Sequence, residues 1–315
     1  MVDAFDAEPT LRVDAPDWFR RALEVPFEQR SVEVDGCDIN FLQWGAPSDE
    51  GLVFVHGGGA HAHWWTHIAG AFSAHARCVA LDLSGHGDSG RRNDYSLDHW
   101  TDEVAAVANA AGITRPVIVG HSMGGFVTIA TAARHPEVPS AIVIVDSPVF
   151  DTEPEVTEAR KRAQAPAGPA PIHPDLDAVV GRYRTIPPQA RYLDFVIDHV
   201  ARRSLRQVET PDGGIGWQWK FDPAFWTAMG GSPRTFALPY LDQIGCRVAL
   251  LRCEEGLVDA EIGRFMYERM GRRTPVVELP TAGHHPMLDS PLVLITALRT
   301  LFADWRHSDP RPPVA

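Results

Sequence analysis

The chain has 315 residues, 44% of them hydrophobic and 22% charged, enough for the core of one large domain or of a domain with an insertion. A formal net charge of −12 argues against nucleic acid or an anionic membrane surface as a partner, because either would repel the protein. No run of about 18 apolar residues is present to span a bilayer. Met1–Pro9 is acidic and lacks a charged-then-apolar leader pattern. The four cysteines, Cys37, Cys78, Cys246 and Cys253, make no CxxC pair. Free thiols in a cytoplasmic protein are therefore expected.

Along the chain, short apolar runs alternate with amphipathic stretches, the pattern of a mostly parallel sheet wrapped by helices. Strands are predicted at Ser31–Asp35 and Ile39–Trp44, joined by a turn at Gly36. Further strands are predicted at Leu52–Val55, Cys78–Leu81, Val117–Val119, Ala141–Val145, Arg247–Leu251 and Val276–Leu279. Their continuous Val/Ile/Leu character suits strands buried on both faces. A helix is expected over Ser96–Ala111, with Ser96 as N-cap and Gly112 as stop. Others are expected at Phe126–Ala130 and beyond, at Glu261–Met270, and from Ser290-Pro291 to Trp305.

Residues 147–240 break this rhythm. Prolines, an Ala/Pro stretch at Ala163–Pro174, and the aromatic block Trp217, Trp219, Phe221, Phe225 and Trp226 read as a mostly helical lid inserted over the sheet. The expected organisation is an N-terminal extension over 1–30, a core formed by 31–146 and 241–308, and the lid over 147–240. The aromatic block either lines a pocket for an aromatic or long-chain acyl group or forms the lid's own core. With Gly59, the residues Trp217, Trp219 and Phe225 are candidate substrate contacts.

Gly120-His121-Ser122-Met123-Gly124 fits G-x-S-x-G and lies between the strand Val117–Val119 and a helix. Such a turn holds a serine in a strained conformation, and glycines on either side let strand and helix pass closely. The helix N-terminus then directs partial positive charge at the reacting centre. Ser122 is the expected nucleophile.

Four motifs in this order give the chain a resemblance to the α/β-hydrolase family over nearly its whole length. They are His56-Gly57-Gly58-Gly59, Asp82-Leu83-Ser84-Gly85-His86-Gly87-Asp88-Ser89, the serine turn, and Ala282-Gly283-His284. The resemblance implies an eight-stranded, mostly parallel sheet flanked by helices. It also implies an oxyanion hole made by the backbone N–H groups of Gly58 and Met123. The base is expected on the loop after the last strand, at His284 rather than its neighbour His285. Asp82 and Asp88 are expected to be hydrogen-bonded turn residues. His56, His61, His63 and His67 lie close together, but no adjacent Asp, Glu or Cys completes a metal site, so no metal or other cofactor is expected.

The acid departs from the family's usual pattern. Most relatives carry it after the seventh strand in a Gly-x-x-Asp turn; here that region reads Arg252-Cys253-Glu254-Glu255-Gly256-Leu257-Val258-Asp259. Asp146, one helix and one strand beyond Ser122, is the first choice, because some members place the acid after strand six. Glu255 is second, and Glu254 and Asp259 stay open. The expected reaction is hydrolysis of a small carboxylic ester through an acyl-enzyme. A lactonase or C–C bond hydrolase with the same triad, and a receptor of the same fold that barely turns over, are the alternatives. The sequence does not indicate oligomeric state.

Overall fold

A computed structural model describes residues 14–151, 171–225 and 237–308. Eight strands form one sheet in the order β1-β2-β4-β3-β5-β6-β9-β10. They are β1 (Glu28–Val34), β2 (Cys37–Trp44), β3 (Glu50–Val55), β4 (Arg77–Leu81), β5 (Arg115–His121), β6 (Ala141–Val145), β9 (Arg247–Glu255) and β10 (Val276–Gly283). The β1–β2 and β2–β4 pairs are antiparallel and the other five are parallel. Asp35 and Gly36 turn the first hairpin with φ of 48° and 71°. The left-handed region at both central positions matches the strand twist, which explains a glycine there.

Alternation along the strands divides the core into two layers. Val53, Val55, Ile142 and Ile144 face α3 (Leu97–Ala110) and α4 (Met123–Arg134). Leu52, Phe54, Val143 and Val145 face α2 (Thr66–Ala69) and α9 (Pro291–Ser308). Burial on both faces is why these strands read as unbroken apolar runs. The Ser96 hydroxyl accepts from His99 N–H at 3.2 Å and so caps α3. α4 starts at Met123, directly after Ser122, three residues earlier than its apolar pattern suggests. β9 and β10 each run four residues past their apolar stretches and carry their loops towards Asp146 and Ser122.

Between β6 and β9 the described residues hold α5 (Leu176–Val180), α6 (Asp194–Arg203) and a hairpin, β7 (Leu205–Glu209) with β8 (Ile215–Trp219). The hairpin departs from the mostly helical segment expected there. Its turn is closed by Thr210 N–H donating to Gly214 O at 2.9 Å, with Gly213 at φ 81°. Arg202 ties α6 to α5 by an ion pair to Asp177 and pairs within α6 with Asp198, both at 2.9 Å. Trp226 lies outside the described residues. Ahead of the sheet, α1 (Asp17–Leu23) buries Phe19 completely; its ring meets Phe195 at 4.9 Å and His67 at 5.3 Å. No described helix is long and apolar enough to cross a membrane.

Candidate active site

Ser122 sits between β5 and α4 with φ 53° and ψ −119°, a conformation that costs on the order of 1–3 kcal/mol for a residue other than glycine. Its neighbours explain how the turn closes. A Cβ at Gly120 would overlap the Gly124 carbonyl and Thr128, and one at Gly124 would overlap the carbonyls of Val55 and His56. Ser122 N–H donates to Val145 O at 3.0 Å, which fixes the turn against β6. Met123 opens α4, so its N–H has no acceptor within the helix.

His284 follows β10 and is buried. Its Nε2 lies 2.9 Å from Ser122 Oγ, and its Nδ1 lies 2.7 Å from Asp146 Oδ2. The structure thus brings Ser122, His284 and Asp146, from three separate loops, into one chain of hydrogen bonds. Asp146 is wholly buried just past β6, at φ 46°. Its Oδ2 also accepts from Leu257 N–H at 2.7 Å, and its Oδ1 accepts from Cys253 N–H at 3.1 Å and Val258 N–H at 3.2 Å. The loop after β9 therefore wraps the carboxylate with backbone donors. Gly256 lets it come this close, since a Cβ there would overlap the carboxylate itself.

The three other acidic candidates are engaged elsewhere. Glu255 pairs with Arg191 at 2.9 Å. Glu254 accepts from Thr281 N–H at 2.7 Å. Asp259 caps α7 (Ala260–Arg269) by accepting from Glu261 and Ile262 N–H at 2.9 and 2.8 Å.

Two further imidazoles flank His284. His121 Nε2–H donates to the His284 carbonyl at 2.7 Å, and His285 Nε2–H donates to Pro187 O at 2.9 Å. Burial, and then the neighbouring His284, pushes the His121 pKa well down and that of His285 to about 3. Both stay neutral, so an imidazolium at His284 meets no like charge. Among the described residues these three histidines alone gather ring nitrogens, within 4.8 Å of one another, that could hold a metal. A metal bound by His284 would compete with Ser122 or Asp146 for its nitrogens.

The loop carrying His284 is also held by Asp289 and Gln189, which no sequence motif singles out. Asp289 accepts from Gly283 N–H at 2.7 Å and from Gln189 Nε2 at 3.0 Å. Gln189 Oε1 accepts from His285 N–H at 2.8 Å. Gly283 fits because a Cβ would come within 2.8 Å of Gln189 and 2.9 Å of Asp289. The two Gln189 contacts span 96 and 100 residues, and no local pattern announces them.

Gly57 passes against the serine, where a Cβ would lie 3.2 Å from Ser122 Cβ. Gly58 and Gly59 follow and line a cavity of about 230 Å³ with Trp64, Tyr183 and Trp219. The Trp219 ring lies 5.9 Å from that of Tyr183, tilted at 45° to it. Trp217 is not among the residues lining this cavity, and neither is Phe225. Phe225 is fully buried, 4.5 Å from the His86 ring and packed with Tyr95 in the core. Asp82 anchors the glycine loop: it accepts from Ala62 N–H at 2.6 Å, Asp88 N–H at 2.9 Å and Asn40 Nδ2 at 2.8 Å, and burial raises its pKa to about 6. Asp88 pairs with Lys220 at 2.7 Å. His56, His61, His63 and His67 are all buried. His56 accepts from Leu83 N–H at 3.0 Å, His61 meets Ser204 Oγ at 2.8 Å, and His67 donates to Met287 O at 2.8 Å.

The alpha/beta hydrolase family model matches residues 52–297, and the chain belongs to that family. It is similar to a 2-(acetamidomethylene)succinate hydrolase of Mesorhizobium japonicum, 25% identical over 88% of this chain and 96% of the relative. It is also similar to the esterase Rv0045c of Mycobacterium tuberculosis, 26% identical over 84% of this chain and 87% of the other. A crystal structure of E-2-(acetamidomethylene)succinate hydrolase superposes with a TM-score of 0.73 at 24% identity, covering 88% of this chain and all of that one, which shows the shared fold. The chain is thus a member of a hydrolase superfamily with esterase-named relatives.

Proposed function

We propose that this protein is a serine hydrolase that cleaves a small-molecule carboxylic ester through an acyl-enzyme. The observation that carries the reading is the relay Ser122 Oγ–His284 Nε2–His284 Nδ1–Asp146 Oδ2, with steps of 2.9 and 2.7 Å, built on a strained turn at a helix N-terminus. His284 takes the Ser122 proton as Oγ attacks the ester carbonyl, then gives it to the leaving alcohol. Asp146 holds Nδ1–H, which leaves Nε2 as the acceptor facing the serine, and it stabilises the imidazolium that forms. The Gly58 and Met123 N–H groups receive the oxyanion; a single such donor is worth about 3–4 kcal/mol. Water, activated by the same histidine, then releases the acid, and no cofactor takes part in any step.

In this reading residues 31–146 and 241–308 form the catalytic body and 147–240 the lid. The first 30 residues are an extension, and the substrate enters the cavity beside Gly59 and Trp219. Four free cysteines, three of them buried, support a cytoplasmic protein. A lactonase or C–C bond hydrolase would use the same relay. The position of Asp146 after β6, rather than an acid after β9, favours the lactonase as the second reading.

The test is a series of p-nitrophenyl esters of rising chain length, with lactones alongside, assayed on the full chain and on Ser122→Ala. We expect turnover by the parent and a loss of roughly 10⁴-fold or more in kcat for the folded variant. Wild-type-like kcat in Ser122→Ala would remove the reading. No turnover of any ester, lactone or diketone by the parent would leave a small-molecule receptor.

A further inference from the structure

A second and larger cavity lies on the opposite edge of the sheet from Ser122. Its volume is about 670 Å³, and it is lined by the amino ends of four neighbouring parallel strands, with Leu52, Val117, Ala141 and Arg247 among them. Ala141 opens β6 and Asp146 follows its end, so the strand's five residues separate the cavity from the triad by about 16 Å. In α/β sheets the chemistry sits at the carboxyl edge. This cavity is therefore not part of the site described above.

One wall is α9, whose Arg299, Phe302, Ala303 and Arg306 share a helical face by their spacing. Phe72 meets Phe302 at 5.7 Å, and Trp305 continues the aromatic wall at 6.1 Å from Phe302. Arg299 lies with its guanidinium 5.8 Å from the centre of the Phe72 ring and donates to Ala71 O at 2.8 Å. Arg247 donates to Trp305 O and Ser308 O, both at 2.7 Å, and so closes the end of the helix. Arg115 and Arg306 complete the cationic lining. Among the described residues, no hydrogen bond or ion pair engages either guanidinium. The one acidic lining residue is the exposed Glu50. Four arginines around an aromatic-walled cavity, in a chain of net charge −12, reverse the sign of the molecule's overall field at one spot.

We propose that this cavity binds an amphipathic anion: a small ligand with an aromatic or acyl body and one carboxylate, phosphate or sulfonate group. The body lies on Phe72, Phe302 and Trp305. The anionic group meets Arg115 and Arg306, whose planar donor forks suit such oxyanions. With four arginines and one acid, Glu50, in its lining, the cavity carries an excess of positive charge that an anion offsets.

The probe is 8-anilino-1-naphthalenesulfonate, followed by fluorescence on the full chain. We expect one saturable site, and at least a ~10-fold loss of affinity in Arg115→Glu/Arg306→Glu, since each reversal turns an attraction into a repulsion. Arg182→Glu/Arg184→Glu, at the cavity beside Gly59, should stay within ~2-fold. The uncharged N-phenyl-1-naphthylamine should bind at least ~10-fold more weakly to the parent. Circular dichroism checks folding, and Arg115→Gln/Arg306→Gln replaces the reversal if that variant fails to fold. Three results would overturn the proposal: no saturable binding by the parent, unchanged affinity when Arg115 and Arg306 lose their charge, or loss at Arg182 and Arg184 instead. Equal affinity for the neutral probe would also overturn it.

Discussion

At the end of β6, Asp146 is wholly buried and receives three backbone N–H donors besides His284 Nδ1. At the end of the adjacent β9, Glu255 is 47% exposed and holds Arg191 across the surface. Both carboxylates lie at the carboxyl edge of the same sheet, on neighbouring strands. What separates them is preparation. A buried carboxylate has lost water and needs replacement donors, which the 253–258 loop supplies without side chains. An exposed ion pair is worth little and is free to move. The β9 loop thus contributes to the site by its backbone, as a cradle for an acid carried by another strand.

The largest effect on this contrast belongs to the imidazole between the two loops. His284→Ala should cost roughly 10⁴-fold or more in kcat, since it removes the proposed base of both half-reactions. His285→Ala should cost far less, because its ring nitrogen serves Pro187 O rather than the serine. The reverse ranking, read from kcat on a p-nitrophenyl ester, would move the base by one residue.

Gly256→Ala comes next. The added Cβ would press on the Asp146 carboxylate, so the loop must back away and the relay loosens. We expect kcat to fall by about 10–100-fold with KM nearly unchanged, since a displacement of about 1 Å is felt at the reacting centre. An unchanged kcat would mean that the cradle is not needed. Arg191→Ala, which frees Glu255, should change kcat by less than about 2-fold.

A smaller effect concerns the buried histidines on and around α6. His199 and His67 are held neutral, their pKa values lowered chiefly by burial to about 3 and 4; His61 and His63 are lowered well below 6.5 for the same first reason. The unfolded chain binds protons at these sites from about pH 6.5 downward, whereas the folded chain does not until near pH 4. Stability is thus fully present above pH 6.5 and falls as the pH drops towards 4. Melting temperatures across that range should show the decline. His67→Gln, which keeps a donor for Met287 O, should flatten it. A flat profile in the parent would contradict buried neutral imidazoles.

The smallest effect is at the cavity. Trp219→Ala should raise KM several-fold for longer acyl chains and little for acetate, while Trp217→Ala should leave both nearly unchanged. Equal effects of the two would show that the cavity beside Gly59 is not where the acyl group lies.

The same contrast explains what the sequence made legible. Ser122 was readable because its requirement is local: two glycines that must pass other backbone, an apolar strand before and a helix after. The central strands were readable because burial on both faces demands unbroken apolar runs. The wrapping of Asp146 was not readable, since its donors lie 107 to 112 residues away and are backbone groups that any residue but proline possesses. Only Gly256 marks the place, in the stretch where a Gly-x-x-Asp turn is expected. Gln189 is hidden for the same reason of distance, 96 to 100 residues from its partners. The β7–β8 hairpin was legible and passed over. Asp212-Gly213 is a turn signal, and Ile215, Trp217 and Trp219 recur with period two, but prolines and aromatics drew the reading towards a helical lid. Phe225 belonged to that aromatic block by position, yet its packing against His86 and Tyr95 is settled only when the chain returns across the β4 loop.

Whether Asp146, after β6, serves as the acid of the relay is decided by two isosteric changes compared in one assay. Asp146→Asn removes the charge that orients His284 and should lower kcat on a p-nitrophenyl ester by about 10³–10⁴-fold while the protein stays folded. Glu255→Gln should leave kcat within about 2-fold, because it breaks only a surface pair. A near-silent Asp146→Asn together with a crippled Glu255→Gln would contradict the account and return the acid to the end of β9.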